Sequence, residues 1–294
     1  MKISTSLVIV VVAALGIWAL FNLDVTDNPT ATSSPTVSQS VSPSPSATLD
    51  YSDLIQVTSP MANATVKSPL IVTGKARGTW YFEASFPVKI YDGYGRLLGQ
   101  TPAQAQTDWM TTDFVQFKAT LTYDTPSTET GTLVLEKDNP SGLPANDARI
   151  VIPIKFDLTA VPKQTVKLYY YNSDKDKDAS GNILCSAQGL VSVQRQVPST
   201  KTPLQDTIRL LLRGELSAAE KAQGITTEFP LPGLELTSAS ITNGKATLTF
   251  KDSQNKTVGG SCRVGVLWAQ IEATAKQFNG VTVVKFIPEE LFQP

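Results

Sequence analysis

The stretch VQFKATLTY, residues 115–123, alternates without a fault. Val115, Phe117, Ala119, Leu121 and Tyr123 fall on one face, and Gln116, Lys118, Thr120 and Thr122 on the other. A period of two sets the first group against a core and the second toward water, the pattern of a half-buried strand. Further along, RIVIPIKF (149–156) turns Ile150, Ile152, Ile154 and Phe156 inward. Pro153, on its opposite face, marks an edge position or a bulge. LIVTGKA (70–76), VKIYD (88–92), TLVLEK (132–137) and a strand near Ile55 bring the named stretches to six, of about seven short strands expected. Turn signals such as DGYG (92–95) and DNPSG (138–142) separate them. Short strands at that spacing predict a β-sandwich over residues 50–160.

Residues 163–294 change character. TVKLYYY (165–171) reads as a strand, and TPLQDTIRLLLRG (202–214) as a helix. In that helix Thr202 is the expected cap, Pro203 the first helical residue and Gly214 the stop. Leu204, Ile208, Leu211 and Leu212 form its apolar stripe. Ser217 and Glu220 make a capping box for a further turn. ELTSASITNGKATLTF (235–250) is a hairpin announced by Asn243-Gly244. SCRVGVLWAQIEATAKQFNG (261–280) predicts a second long helix, capped by Ser261 and ended by Asn279-Gly280. Val264, Leu267, Trp268, Ile271, Ala275 and Phe278 are its expected inward face. VTVVKFI (281–287) closes as a strand. The order β, β, α, β, β, α, β predicts an α+β domain with two main helices on one side of a sheet.

The N-terminus is of another kind. After Lys2 no charge appears until Asp24, so Ile3 to Leu23 is an uncharged run of 21 residues. As a helix it would span about 32 Å, enough for a hydrocarbon core of about 30 Å. No small-x-small pattern closes the run, and no cysteine follows it to accept a lipid. Residues 1–23 are therefore expected to be an uncleaved signal anchor in the cytoplasmic membrane, with everything beyond Asp24 outside. Residues 24–49 are rich in Ser, Thr and Pro, a linker composition that buries too little surface to fold. The chain as a whole reads as multidomain: membrane helix, linker, all-β sandwich, then α+β domain.

Composition narrows the function. Lys+Arg 25 against Asp+Glu 26 leaves a net charge of -1, with no basic surplus to neutralise phosphates, so nucleic acid is not an expected partner. The sequence has no histidine, which removes the usual neutral-pH general base and the Ser/His and Cys/His nucleophile pairs.

The second domain resembles the GerMN domain of spore germination proteins. The likeness rests on VKLYYYN (166–172), LQDTIRLLLRG (204–214), GITTEFPLPGLELTSASITNGKATLTF (224–250) and VLWAQIEATAKQFNGVTVVKF (266–286). The first domain resembles the immunoglobulin-like domain found beside it. That likeness rests on IQVTSPMANATVKSPLIVTGKA (55–76), WYFEASFPVKIYD (80–92) and DNPSGLPANDARIVIPIKF (138–156). The resemblance implies non-enzymatic envelope domains that mediate assembly or binding, with no cofactor and no catalytic residue to carry over.

Several individual constellations stand beside it. Cys185 and Cys262 are the two cysteines, and one domain outside the membrane usually pairs such residues as a disulfide. The rival is a reactive thiol at Cys262, beside a helix start. Asp174, Asp176 and Asp178 in DKDKDASG alternate as calcium-loop ligands do. Ala179 stands where the loop glycine belongs and Cys185 where the closing glutamate would, so a solvated turn competes with a calcium site. Ser253 and Lys256 satisfy S-x-x-K in a polar loop without companion motifs, a chance match. Glu83 among Trp80, Tyr81, Phe82 and Phe86 reads as a tuned carboxyl or sugar-stacking surface, or as part of an aromatic core.

Two alternatives stand beside a binding or assembly role that would engage envelope proteins, wall polymer or a second copy. One is a wall hydrolase, acting on glycan or peptide with a carboxylate pair. The other is a calcium-tuned, ligand-sensing domain.

Overall fold

Eight strands make the first half of the structure, a computed structural model that describes residues 50–293. They are β1 (Ile55–Ser59), β2 (Thr65–Val66), β3 (Leu70–Arg77), β4 (Ser85–Asp92), β5 (Leu97–Ala105), β6 (Phe114–Leu121), β7 (Thr130–Glu136) and β8 (Arg149–Phe156). The expected membrane helix (1–23) and linker (24–49) lie outside the described residues. No helix among the described residues is long and apolar enough to cross a membrane.

Hydrogen bonding runs in the order β1-β3-β6-β5-β4-β7-β8-β2. β5 pairs with β4 from Ser85 to Tyr91 but with β6 only through Gln104 and Ala105, so the pairing folds over at β5. Phe86 of β4 then meets Phe117 of β6 edge to face, ring centroids 5.0 Å apart. Val115, Phe117, Ala119 and Leu121 are all buried, as their alternation requires. Gly74 lets this layer close, since a Cβ there would stand 2.2 Å from the Gln56 carbonyl and 2.6 Å from the Phe117 ring. Sequence reading named neither β5 nor β2, the latter two residues long and paired parallel with Lys155 and Phe156 of β8. β2 leaves most of β8 as an edge. Pro153 sits on that edge, its carbonyl accepting from Asn63 N at 2.7 Å.

The second half follows the expected order. β9 (Lys163–Tyr171) and β10 (Leu190–Pro198) precede α1 (Pro203–Leu212) and the short α2 (Ala218–Ala222). β11 (Leu234–Thr242), β12 (Lys245–Asp252), α3 (Ser261–Lys276) and β13 (Val283–Ile287) complete it. A second core, built on Leu168, Tyr170, Ile208, Leu248, Ile271 and Phe286, fills this half. Asn243 (φ 50°) and Gly244 (φ 75°) make the two-residue turn between β11 and β12.

One expectation fails here. The strands do not form a single sheet: β9 and β10 pair alone, and β11-β12-β13 form a separate sheet with β12 and β13 parallel. The reason lies in α3, whose side chains occupy the edge of β9 where the next strand would pair. Gln277, at the C-terminal cap of α3, accepts from Lys167 N at 2.8 Å and donates to Lys167 O at 2.6 Å, as a facing strand residue would. Thr274 Oγ1 takes the next amide, Tyr169 N, at 3.1 Å.

Two caps also differ. Gly260, not Ser261, is the cap of α3, and Ser261 is already helical. Thr202 holds the cap position of α1, yet its hydroxyl makes no bond to the helix backbone. The Ser217–Glu220 capping box forms as expected.

Candidate functional site

The Thr202 hydroxyl is diverted to a charged seam between the two cores. On one side Asp92, at the end of β4, closes a tight turn, its carboxylate accepting from Tyr94 N at 3.0 Å and Arg96 N at 2.9 Å. Its other oxygen accepts from Ser127 Oγ at 2.7 Å and faces Arg96 Nε at 3.4 Å. The Arg96 guanidinium donates to the Thr125 carbonyl at 2.8 Å and crosses to the Thr202 hydroxyl at 2.8 Å. Its Nε lies 3.8 Å from Asp206 Oδ1 in the first turn of α1. The Asp92 side chain is fully enclosed, and Arg96 and Asp206 are each only 10% exposed.

Asp206 is the unusual member. Its Oδ2 accepts from Thr202 Oγ1 at 3.1 Å and from Thr200 Oγ1, while Oδ1 has no hydrogen-bond partner. Burial pushes its pKa above the ordinary aspartate value, against the pull of Thr200 and Arg96. Burial likewise lowers the pKa of Arg209, which donates to the Leu236 carbonyl at 3.2 Å. At the rim Arg213 stacks 5.5 Å from the Tyr94 ring and pairs with Glu215.

This seam borders a cleft of about 930 Å³ whose walls include Tyr94, Thr128, Lys155, Arg195, Asp206 and Arg213. Arg195 is held in place by Glu220, with contacts of 2.7 and 2.8 Å. That pairing holds the Glu220 carboxyl down at about 2. The cleft therefore presents hydroxyls, cations and the carboxyls of Glu129, Asp206 and Glu215, a lining suited to a polar ligand.

The sites expected from sequence lie elsewhere. Cys185 and Cys262 form a disulfide, Cα atoms 5.1 Å apart, tying the loop before β10 to the first turn of α3. The three aspartates of the same loop do not converge on one point. Asp174 pairs with Lys177 at 2.7 Å, which lowers its pKa. Asp178 accepts from Asn182 N at 2.8 Å and Ser180 N at 2.8 Å, closing a turn. Asp176 is buried, its carboxylate bound by Ser186 N at 2.6 Å, Ser186 Oγ at 2.5 Å and the Tyr171 hydroxyl at 2.5 Å. Burial pushes its pKa up, but these hydrogen bonds outweigh that and hold it below the ordinary value. Among the described residues no group of three or more such side chains is arranged to hold a metal ion.

Trp80, Tyr81 and Phe86 are core residues, and Phe86 also packs on Trp80 at 6.5 Å. Glu83 is outside that core, exposed in a two-residue turn between Phe82 and Ser85 with φ of 47°. Ser253 stays in the polar loop after β12, its amide donating to the Gly233 carbonyl at 3.0 Å. Sequence reading missed Asp92, Arg96 and Asp206 as a unit. The available signal was a charged residue, Asp206, on a short helix otherwise rich in leucine.

Residues 54–142 match a family model described as the immunoglobulin-like domain of bacterial spore germination. Residues 167–289 match one described as sporulation and spore germination. Both halves carry spore-germination-related domains. No curated protein matches the chain. A crystallised DUF4784 family protein from Bacteroides caccae aligns at 19% identity over 41% of this chain and 27% of that one. Its TM-score of 0.23 gives no ground for structural argument.

Proposed function

We propose that the chain is a membrane-anchored envelope protein of the germination type, its second domain GerMN-like, that binds or assembles and does not catalyse. The observation that carries this reading is the Arg96 crossing. A guanidinium bound on one side to Asp92 and Thr125, and on the other to Thr202, favours one relative setting of the two domains. A fixed setting presents a composite surface, which is what a recruiter of envelope proteins, wall polymer or a second copy requires. The two matched families support the germination-type assignment, and the uncharged run Ile3 to Leu23 supports the anchor. Photo-crosslinking from cleft-rim positions in intact envelopes tests it. Discrete adducts that vanish in Arg96→Ala are expected, and adducts indifferent to that change would count against a composite surface.

A second reading has one observation in its favour. Asp206 lines a cleft and burial raises its pKa, the placement and the direction of shift that a general acid needs. Asp92 is unsuited to be its partner carboxylate, since it is enclosed and bound to Arg96 and Ser127.

A further inference from the structure

The sheet β11-β12-β13 has β11 at one border. The two-residue turn at Asn243-Gly244 makes Thr242 and Lys245 a hydrogen-bonded pair, and antiparallel pairs alternate from there. The backbone groups of Thr242, Ser240 and Ser238 thus point to β12, and those of Ile241 and Ala239 point away. Among the described residues nothing else bonds to those outward groups. Ser238, Ser240, Ile241 and Thr242 are all exposed.

Free edges are normally blunted by charge, proline, bulges or covering segments. Other borders of this molecule follow that rule. β10 carries Arg195 and ends at Pro198, β13 carries Lys285 before Pro288, and β8 carries Pro153 and is partly covered by β2. β1 has an irregular register between Val57 and Ser59 and stops at Pro60. In β11 the irregularity falls earlier, between Leu236 and Ser238, where Arg209 covers the Leu236 carbonyl. From Ser238 to Thr242 the edge has no charge and no proline.

We propose that this segment pairs antiparallel with the same segment of a second copy, about a two-fold axis through Ser240. In that register Ala239 of each copy faces Ile241 of the other, and each facing pair exchanges two backbone hydrogen bonds. The uncharged edge meets itself without like charges in contact, as a self-complementary interface must. Docking copies through β10 would instead bring arginines together, and through β13 lysines. The pairing deepens the assembly reading by naming one partner. The two fail separately, because a monomer that still binds wall polymer or an envelope protein refutes the pairing alone.

Ser240 would form a non-hydrogen-bonded pair with itself, Cα atoms about 4.5 Å apart, close enough for a disulfide. The test is oxidation of the full chain carrying Ser240→Cys, compared with Ser238→Cys and Thr242→Cys. The latter two stand about 13 Å from their own copies along the paired strands. A dimer on a non-reducing gel for Ser240→Cys, at least tenfold above the other two, is expected. Sedimentation of the full chain in density-matched detergent should show a dimer whose dissociation constant rises at least tenfold in Ser240→Lys. That variant adds only a surface charge, so it leaves the fold intact. Equal crosslinking at the three positions, no crosslink at Ser240→Cys, or a dimer indifferent to Ser240→Lys would overturn the proposal.

Discussion

Arg96 of the first domain donates to the Thr202 hydroxyl of the second across 2.8 Å, taking up the group that would otherwise cap α1. A helix end thereby becomes a joint between domains. Removing Arg96 leaves Asp92 and Asp206 enclosed beside each other without their shared cation.

Breaking such a buried pair costs on the order of 3 kcal/mol. Arg96→Ala is expected to split one calorimetric transition into two, because the domains no longer unfold together. Arg96→Lys should recover little, since an ammonium cannot reach Asp92, Thr125 and Thr202 from one planar group. A single transition in Arg96→Ala at the wild-type temperature would remove the joint from the account.

Gln277 supplies the second unusual joint, pairing with Lys167 through both backbone groups. Gln277→Ala should cost only about 1 kcal/mol, since Lys167 is exposed and water can replace the lost bonds. Hydrogen exchange resolves it: the Lys167 amide should lose protection while amides of β12 keep theirs.

Much of this fold could be read from the chain itself. The alternation at Val115–Leu121, the hairpin at Asn243-Gly244 and the Ser217 capping box depend on near neighbours, and they form as expected. The split of the second domain into two sheets could not be read. It depends on a helix-terminal glutamine imitating a strand residue, a contact set by tertiary packing. The Asp92–Arg96–Asp206 seam was hidden for the same reason, as its halves lie in different domains. Glu83 and Ala84 occupy a turn with positive φ that usually calls for Asn or Gly, so their local signal pointed elsewhere.

The disulfide between Cys185 and Cys262 closes a long loop, and removing it should cost up to roughly 4.5 kcal/mol on the chain-entropy account. Non-reducing peptide mapping of protein taken from the envelope should find the two cysteine peptides linked. Two alkylatable thiols there would contradict the pairing.

Glu220 gives the second domain an acid-sensitive element. Its carboxyl is held at about 2 by Arg195, against an ordinary value of 4.5. A carboxylate lowered on folding stabilises fully above the unfolded value, and loses that contribution as pH falls through the folded one. The urea midpoint is therefore expected to drop between about pH 4.5 and pH 2. Glu220→Gln should lower it at neutral pH and flatten the slope. An unchanged slope in that variant would assign the acid sensitivity to other groups.

The claim that the chain binds or assembles and does not catalyse is tested most directly on purified cell wall. The full chain is incubated with wall, and soluble sugar and peptide are measured after sedimentation. No release above a boiled-protein control is predicted for wild type or Asp206→Asn. Release by wild type that disappears in Asp206→Asn would contradict the account and make the cleft an active site.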